Sequence, residues 1–141
     1  WETKTFEEMT PEEWESLCDG CARCCLYKIE EEESLEFIYT NIACKFLDLK
    51  RCRCTVYPLR SQKMPTCVTL TPENVYGLFW LPGTCAYKLL ASGENLAWWH
   101  PLVSGDPETV RLADISVCGK AIPEENIDMD KLEHHGVDWI N

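Results

Sequence analysis

Nine of the ten cysteines in this chain fall between Cys18 and Cys85, and they open as Cys18-Asp-Gly-Cys21-Ala-Arg-Cys24-Cys25. Thiolate sulfur is a soft ligand that selects zinc, iron and iron–sulfur clusters, and a two-residue gap lets two sulfurs meet one tetrahedral ion. The spacing predicts a metal site whose ligands are Cys18, Cys21, Cys24, Cys25, Cys44, Cys52, Cys54, Cys67 and Cys85. Adjacent Cys24 and Cys25 do not readily serve one ion together, so more than one metal atom is expected. Nine thiolates fill the twelve positions of three tetrahedral ions if three of them bridge. A four-iron, four-sulfur cluster would instead take four cysteines and leave five. The opening run partly imitates the bacterial ferredoxin spacing, but Cys25 follows Cys24 directly and no Cys-Pro closes it. That counts against a ferredoxin-like site and not against iron. A secreted disulfide scaffold is the competing use of so many cysteines. It is disfavoured because the adjacent pair, and the single residue between Cys52 and Cys54, crowd sulfur around a shared point. Reduced thiolates in the cytoplasm are therefore the expectation.

Other side chains are weaker candidates. His100 stands between two tryptophans and a proline, where a packed histidine holding a loop competes with a ligand or a general acid/base. His134 and His135 are neighbours on a polar segment, and adjacent side chains diverge on a helix, so they read as surface residues. Arg51, Arg53 and Arg60 sit among the second group of cysteines, where positive charge would offset thiolate. Trp80, Trp98 and Trp99 read as core packed over the cluster. Glu30 to Glu33 read as a solvated turn. The sequence contains no Ser-His-Asp order and no Gly-x-Gly-x-x-Gly.

The elements that must position the thiols follow from local signals. Thr10, Pro11 and Glu13 form a helix start, with Met9 and Trp14 placed for a staple, and the helix is expected to carry on to Cys18 and Cys21. Leu26 to Ile29 and Leu35 to Tyr39 predict a β-hairpin. Residues 44–67 hold four cysteines, and five basic residues between Lys45 and Arg60, with little periodicity, a loop wound on metal. A second helix is expected from Thr71 to about Leu81, a third from Thr84 to Ser92 with Cys85 in its first turn, and a last from Asp130 to Asn141. Val110 to Val117 reads as a strand. The fold class is thus α+β: a small, helix-rich single domain over residues 1–141, with a short hairpin and long loops organised around the cysteines.

Composition bounds the rest. A 45% hydrophobic content with six Trp gives apolar area enough for one folded core. A net charge of −11 argues against general nucleic-acid binding, which draws its affinity from basic residues on phosphate. No run approaches the ~20 apolar residues of a membrane span, and the first residues lack a secretory-signal pattern.

The string from Cys18 to Cys25 is followed by Ala43-Cys44-Lys45-Phe46-Leu47-Asp48, then by Cys52-Arg53-Cys54-Thr55-Val56-Tyr57, Arg60 and Pro65-Thr66-Cys67. After these come Trp80-Leu81-Pro82-Gly83-Thr84-Cys85-Ala86-Tyr87 and Trp99-His100-Pro101-Leu102. Together they resemble the bacterial YcgN/YkgJ-type CxxCxxCC cysteine-cluster family over nearly the whole chain, in its YcgN branch. The resemblance implies a zinc- or iron-chelating domain of uncharacterised role; metal ions, and an unknown protein beside them, are the partners to expect. Some relatives are linked to flagellin lysine N-methylation, so an iron–sulfur redox or methyl-transfer enzyme is the alternative it implies. Cys118 lies outside the motif.

Overall fold

The computed structural model describes residues 3–30, 37–64, 67–78, 80–138 and 140. Its elements are short helices and strands, an α+β arrangement. Where composition predicts one core, the described residues form two hydrophobic clusters in two compact units.

The first unit comprises Trp1–Cys21 and Val68–Ile115. Helix α1, Pro11–Ser16, starts as the sequence dictates. Thr10 Oγ1 accepts from the Glu13 N–H at 3.2 Å, and Glu13 Oε1 accepts from the Thr10 N–H at 3.0 Å. This reciprocal box satisfies two amides that the helix cannot bond internally. The helix ends sooner than expected, so Cys18 and Cys21 lie beyond it, with Gly20 at φ +76° between them. Helix α3, Ala86–Ala91, runs into Gly93 at φ +80°, and Cys85 is its N-cap.

Two expectations in or near this unit fail for local reasons. No second helix forms over 71–81, where the only helical turn among the described residues is a 3-10 turn at Val75–Gly77. Thr71 and Asn74 instead bond side chain to backbone in both directions, at 2.8 and 3.1 Å, and that competes with a helical ladder. Residues 110–117 do not form a strand: Thr109–Leu112 is helix α5, and Val110 is buried. Helix α4, Pro101–Ser104, takes His100 as its N-cap. Phe6, Trp14, Leu17, Val75, Leu81 and Tyr87 make the core, with Phe6 edge-on to Trp14 at 5.1 Å between ring centres.

The second unit comprises Ala22–Cys67 and Ser116–Asn141. Strands β1, Leu26–Glu30, and β2, Phe37–Ala43, pair antiparallel as the expected hairpin. Its turn lies outside the described residues. The register shifts between Leu26 and Lys28, where Thr40 Oγ1 donates to the Tyr27 carbonyl at 2.8 Å and accepts from the Ile42 N–H. Such a bulge re-aims side chains along the strand. Strand β5, Ile122–Pro123, adds to β2 in parallel, giving the order β1-β2-β5.

The 44–67 loop contains more order than its composition suggests. It holds a two-stranded hairpin, β3 Leu47–Asp48 with β4 Arg53–Cys54, and the short helix α2, Arg60–Lys63. The C-terminal helix is instead a 3-10 segment, Met129–His135, capped by Asp128 and broken at Lys131. Leu26, Tyr39, Ala43, Leu47, Cys52, Val117 and Ile140 form this unit's core.

Candidate metal centre

Five of the expected ligands gather in the second unit. A 3-10 turn over Arg23–Cys25 delivers Cys24 and Cys25 at the head of β1. The Cys44 N–H donates to the Cys25 carbonyl at 2.9 Å, so strand pairing itself holds the end of β2 beside that turn. Cys54 comes from β4 opposite Leu47, and Cys67 follows α2 with its N–H on the Met64 carbonyl at 2.9 Å.

The electrostatics of these groups show their proximity. Cys25 has its pKa pushed far up by its hydrogen bond with Cys24, by burial, and by negative charge on Cys24, Cys44 and Cys54. Burial raises Cys44, helped by Glu124 and Cys54 and opposed by the Phe46 N–H and Lys45. Burial also raises Cys67, where Arg60 opposes the effect of Cys24, Cys54 and Cys44. A buried thiol among other thiols resists ionisation unless positive charge is supplied. Thiolate ligands and a soft or borderline cation answer that need together.

Besides Lys45, two cations stand in the group. Arg60 was expected there, and it stacks on the Tyr57 ring at 4.0 Å while donating to the Tyr57 carbonyl at 2.7 Å. Lys28 escaped sequence reasoning. It lies on β1 with its Nζ 3.2 Å from the Cys24 carbonyl, and charges on Cys24, Cys25 and Cys67 partly offset the lowering of its pKa by burial. Its signal was a lone basic residue in an otherwise apolar strand start. Arg51 turns to Asp48 at 4.0 Å and is largely exposed, and Arg53 is exposed.

Cys52 departs from the expected set. Its sulfur is bonded to that of Cys118, with the two Cα atoms 6.0 Å apart. Cys52 holds a left-handed backbone at φ +54° and is buried in the core beside Val117. Ser116 sets up the pair: its Oγ is 3.3 Å from the Cys52 sulfur and accepts from the Cys118 N–H at 3.2 Å. Sequence spacing could not reveal a partner 66 residues away.

Beside these thiols, a cleft of about 280 Å³ is lined by Cys44, Lys45, Asp48, Lys50, Pro123 and Glu125 among others. Glu124 braces it, accepting from the Tyr27 hydroxyl at 2.5 Å and from the Lys45 N–H at 3.0 Å. Tyr27 is pushed above its usual pKa, first by burial and then by this carboxylate. Asn41, in the bulged part of β2, buries an Oδ1 that has no hydrogen-bond donor among the described residues.

Three expected ligands belong to the first unit. Cys18 is exposed, Cys21 is buried and Cys85 is half-buried at the N-cap of α3. The Asp19 carboxylate accepts from the Cys21 N–H at 3.0 Å and shapes the intervening turn. His100 is 2% exposed. Its Nε2 lies 2.7 Å from the Leu17 carbonyl and its Nδ1 accepts from the Leu102 N–H at 3.0 Å. Both ring nitrogens are used, so His100 holds a loop and is not placed as a ligand. Trp80 packs on the first unit's aromatic core, whereas Trp98 is 61% exposed and stands edge-on to Trp99 at 6.2 Å between ring centres. His134 is on the surface near Glu133.

Among the described residues, no three Cys, His, Asp or Glu side chains converge in ready ligand geometry. The donor chemistry nonetheless fits zinc or iron, since charge on Cys24, Cys44 and Cys54 bears on both Cys25 and Cys67, where Cys24 is exposed and the other four are half-buried. No helix of the described residues is long and apolar enough to cross a membrane.

Comparison with known proteins agrees with this chemistry. Residues 17–86 match the CxxCxxCC family model, described as a "putative zinc- or iron-chelating domain". The chain is 54% identical over 139 residues to a UPF0260 protein of Gluconacetobacter diazotrophicus, spanning 99% of this chain and 86% of that one. A UPF0260 protein of Parvibaculum lavamentivorans is also 54% identical, with 99% and 91% covered. One from Rhizobium johnstonii is 55% identical, with 99% and 88% covered. No solved structure matches the chain. With identity of this level along nearly its full length, the chain belongs to the UPF0260 family, with the CxxCxxCC domain over residues 17–86.

Proposed function

We propose that this protein holds zinc or iron in a multinuclear thiolate centre, and that the metal is part of the folded structure. The observation that supports the reading is the mutual electrostatic effect of Cys24, Cys25, Cys44, Cys54 and Cys67. Five sulfurs exceed the four that one tetrahedral ion accepts, so a bridging thiolate lets this unit hold a second ion. Cys18, Cys21 and Cys85 supply three more sulfurs in the first unit.

The chain's own residues prepare this chemistry. Arg60 lowers the cost of ionising Cys67, the Phe46 N–H does so at Cys44, and Lys28 places a cation by Cys24. The metal supplies the remaining positive charge. A reducing compartment, the cytoplasm, keeps such thiols available. Metal ions are the ligands, and an unidentified protein is the partner.

Elemental analysis of anaerobically purified protein tests the reading. It expects two or more zinc or iron atoms per chain, lost when the second unit's cysteines are replaced by serine. Protein that is stoichiometrically metal-free after growth in zinc- and iron-replete medium would overturn it.

A further inference from the structure

The first unit's thiols are fastened differently, and this inference rests on the metal-binding reading above. Helix α1 ends at Ser16, and Leu17 caps it, so the Leu17 carbonyl is among those that the helix leaves without an internal donor. Leu17 is 1% exposed, which denies water that role. His100 supplies the donor. A carbonyl can only accept, so the hydrogen sits on Nε2, at 2.7 Å, while unprotonated Nδ1 accepts from the Leu102 N–H.

A second fastening lies close by. The Tyr87 hydroxyl donates to the Trp14 carbonyl at 2.7 Å, and Tyr87 follows Cys85 by two residues at the start of α3. The segment entering Cys18 is therefore tied by buried side chains at two carbonyls, and Asp19 fixes the exit toward Cys21. We propose that His100 is a positioning residue for metal binding: through Leu17 it fixes the start of the Cys18–Cys21 turn, so that both thiols meet an ion at a set spacing. Tyr87 carries the same constraint to Cys85.

Two substitutions separate this role from simple capping of α4. His100→Asn keeps an acceptor for the Leu102 N–H but is too short to reach Leu17. His100→Gln carries a donor about as far as Nε2 and sacrifices the cap. Cobalt(II)-loaded protein is challenged with a chelator, and loss of the sulfur-to-cobalt absorption is followed. The signal from this limb is the part that Cys18→Ser and Cys21→Ser remove.

We expect that part to dissociate about tenfold or more faster in His100→Asn, in line with other residues that orient ligands, and within about threefold of the unaltered protein in His100→Gln. Tyr87→Phe, which keeps the ring and loses only the donor, should accelerate release about threefold. Unchanged release in His100→Asn, or equal acceleration in both His100 variants, overturns the proposal. If Cys18→Ser and Cys21→Ser leave the cobalt signal intact, the metal-binding reading of this limb fails instead, whatever His100 does.

Discussion

The two groups of thiols are held by opposite means. In the first unit, bonds donated by His100 and Tyr87 and one accepted by the Asp19 carboxylate fix the backbone around Cys18 and Cys21, and an aromatic core surrounds the helix that leads there. In the second unit, Cys25 is kept from ionising first by its hydrogen bond with Cys24 and then by burial and like charge, while at Cys44 and Cys67 burial comes first and like charge adds to it. The difference teaches that preorganisation and metal dependence need not coincide in one protein. A site fastened by hydrogen bonds can keep its shape without a cation, whereas a crowd of thiols needs one before it can ionise.

Metal removal should break this comparison open with the largest effect. After exhaustive chelation under reducing conditions, amides of β1, β2 and the β3–β4 hairpin should lose most of their hydrogen-exchange protection. The Phe6, Trp14 and Tyr87 core should keep its own. Equal loss in both units would show that the contrast is wrong.

Core truncation comes next. Leu17→Ala and Leu26→Ala each remove a side chain that is 1% exposed, at a cost of about 2–5 kcal/mol apiece. In denaturant unfolding of the metal-loaded protein, the first should destabilise the Trp14 environment and the second the sheet. If each moves both regions alike, the units do not act separately.

An alkaline titration of metal-free protein sharpens the electrostatic side. The folded-state pKa values of Cys25, Cys44 and Cys67 are raised, so their contribution is intact below the ordinary thiol pKa of 9.0. It is lost as pH climbs above that value, because the unfolded chain ionises first. The residual protection that the sheet amides keep without metal should therefore fall further above pH 9, and bound metal should suppress the fall by holding the sulfurs as thiolates. A flat profile in metal-free protein would contradict the like-charge account.

The Cys52–Cys118 pair gives a countable outcome. Alkylation of denatured, unreduced protein should label eight cysteines, and Cys118→Ser should expose Cys52 as one more. Labelling of all ten in the unreduced protein would place Cys52 with the other thiols.

The smallest effect belongs to a control in the first unit. Lys4, first, and Thr10 hold Glu13 at a pKa of about 2, against 4.5 for an ordinary Glu. Its contribution is present above 4.5 and disappears as pH falls through about 2. Glu13→Gln should flatten the acid side of the first unit's stability profile slightly and leave metal content unchanged. A shift in metal stoichiometry would tie this helix start to the centre.

Much of this organisation was legible where the signal is local. The Thr10 to Glu13 box, the first hairpin and the helix after Cys85 depend on residues close in sequence, and they formed where expected. Local competition hid other elements: Thr71 and Asn74 satisfy each other outside a helix, and Thr109–Leu112 closes a helical turn where a strand is expected. Cysteine spacing pointed to the chemistry of the site and not to its partition, because the chain alternates between the units after Cys21, Cys67 and Ile115. Cys118 and Lys28 were missed for the same reason, since each gains its meaning from residues brought close by folding.

That alternation bears on how the protein is made. Every cysteine of the expected ligand set precedes Ser116, yet Val117 and Ile140, which close the core around β2 and β3, belong to the last segment of the second unit. At about 5–20 residues per second of synthesis, the thiols from Cys24 to Cys67 stand outside the ribosome for some seconds before their shelter can form. A nascent chain in that interval offers bare sulfur to whatever ion or oxidant it meets, so metal supply during translation, and not only affinity at equilibrium, governs which product accumulates.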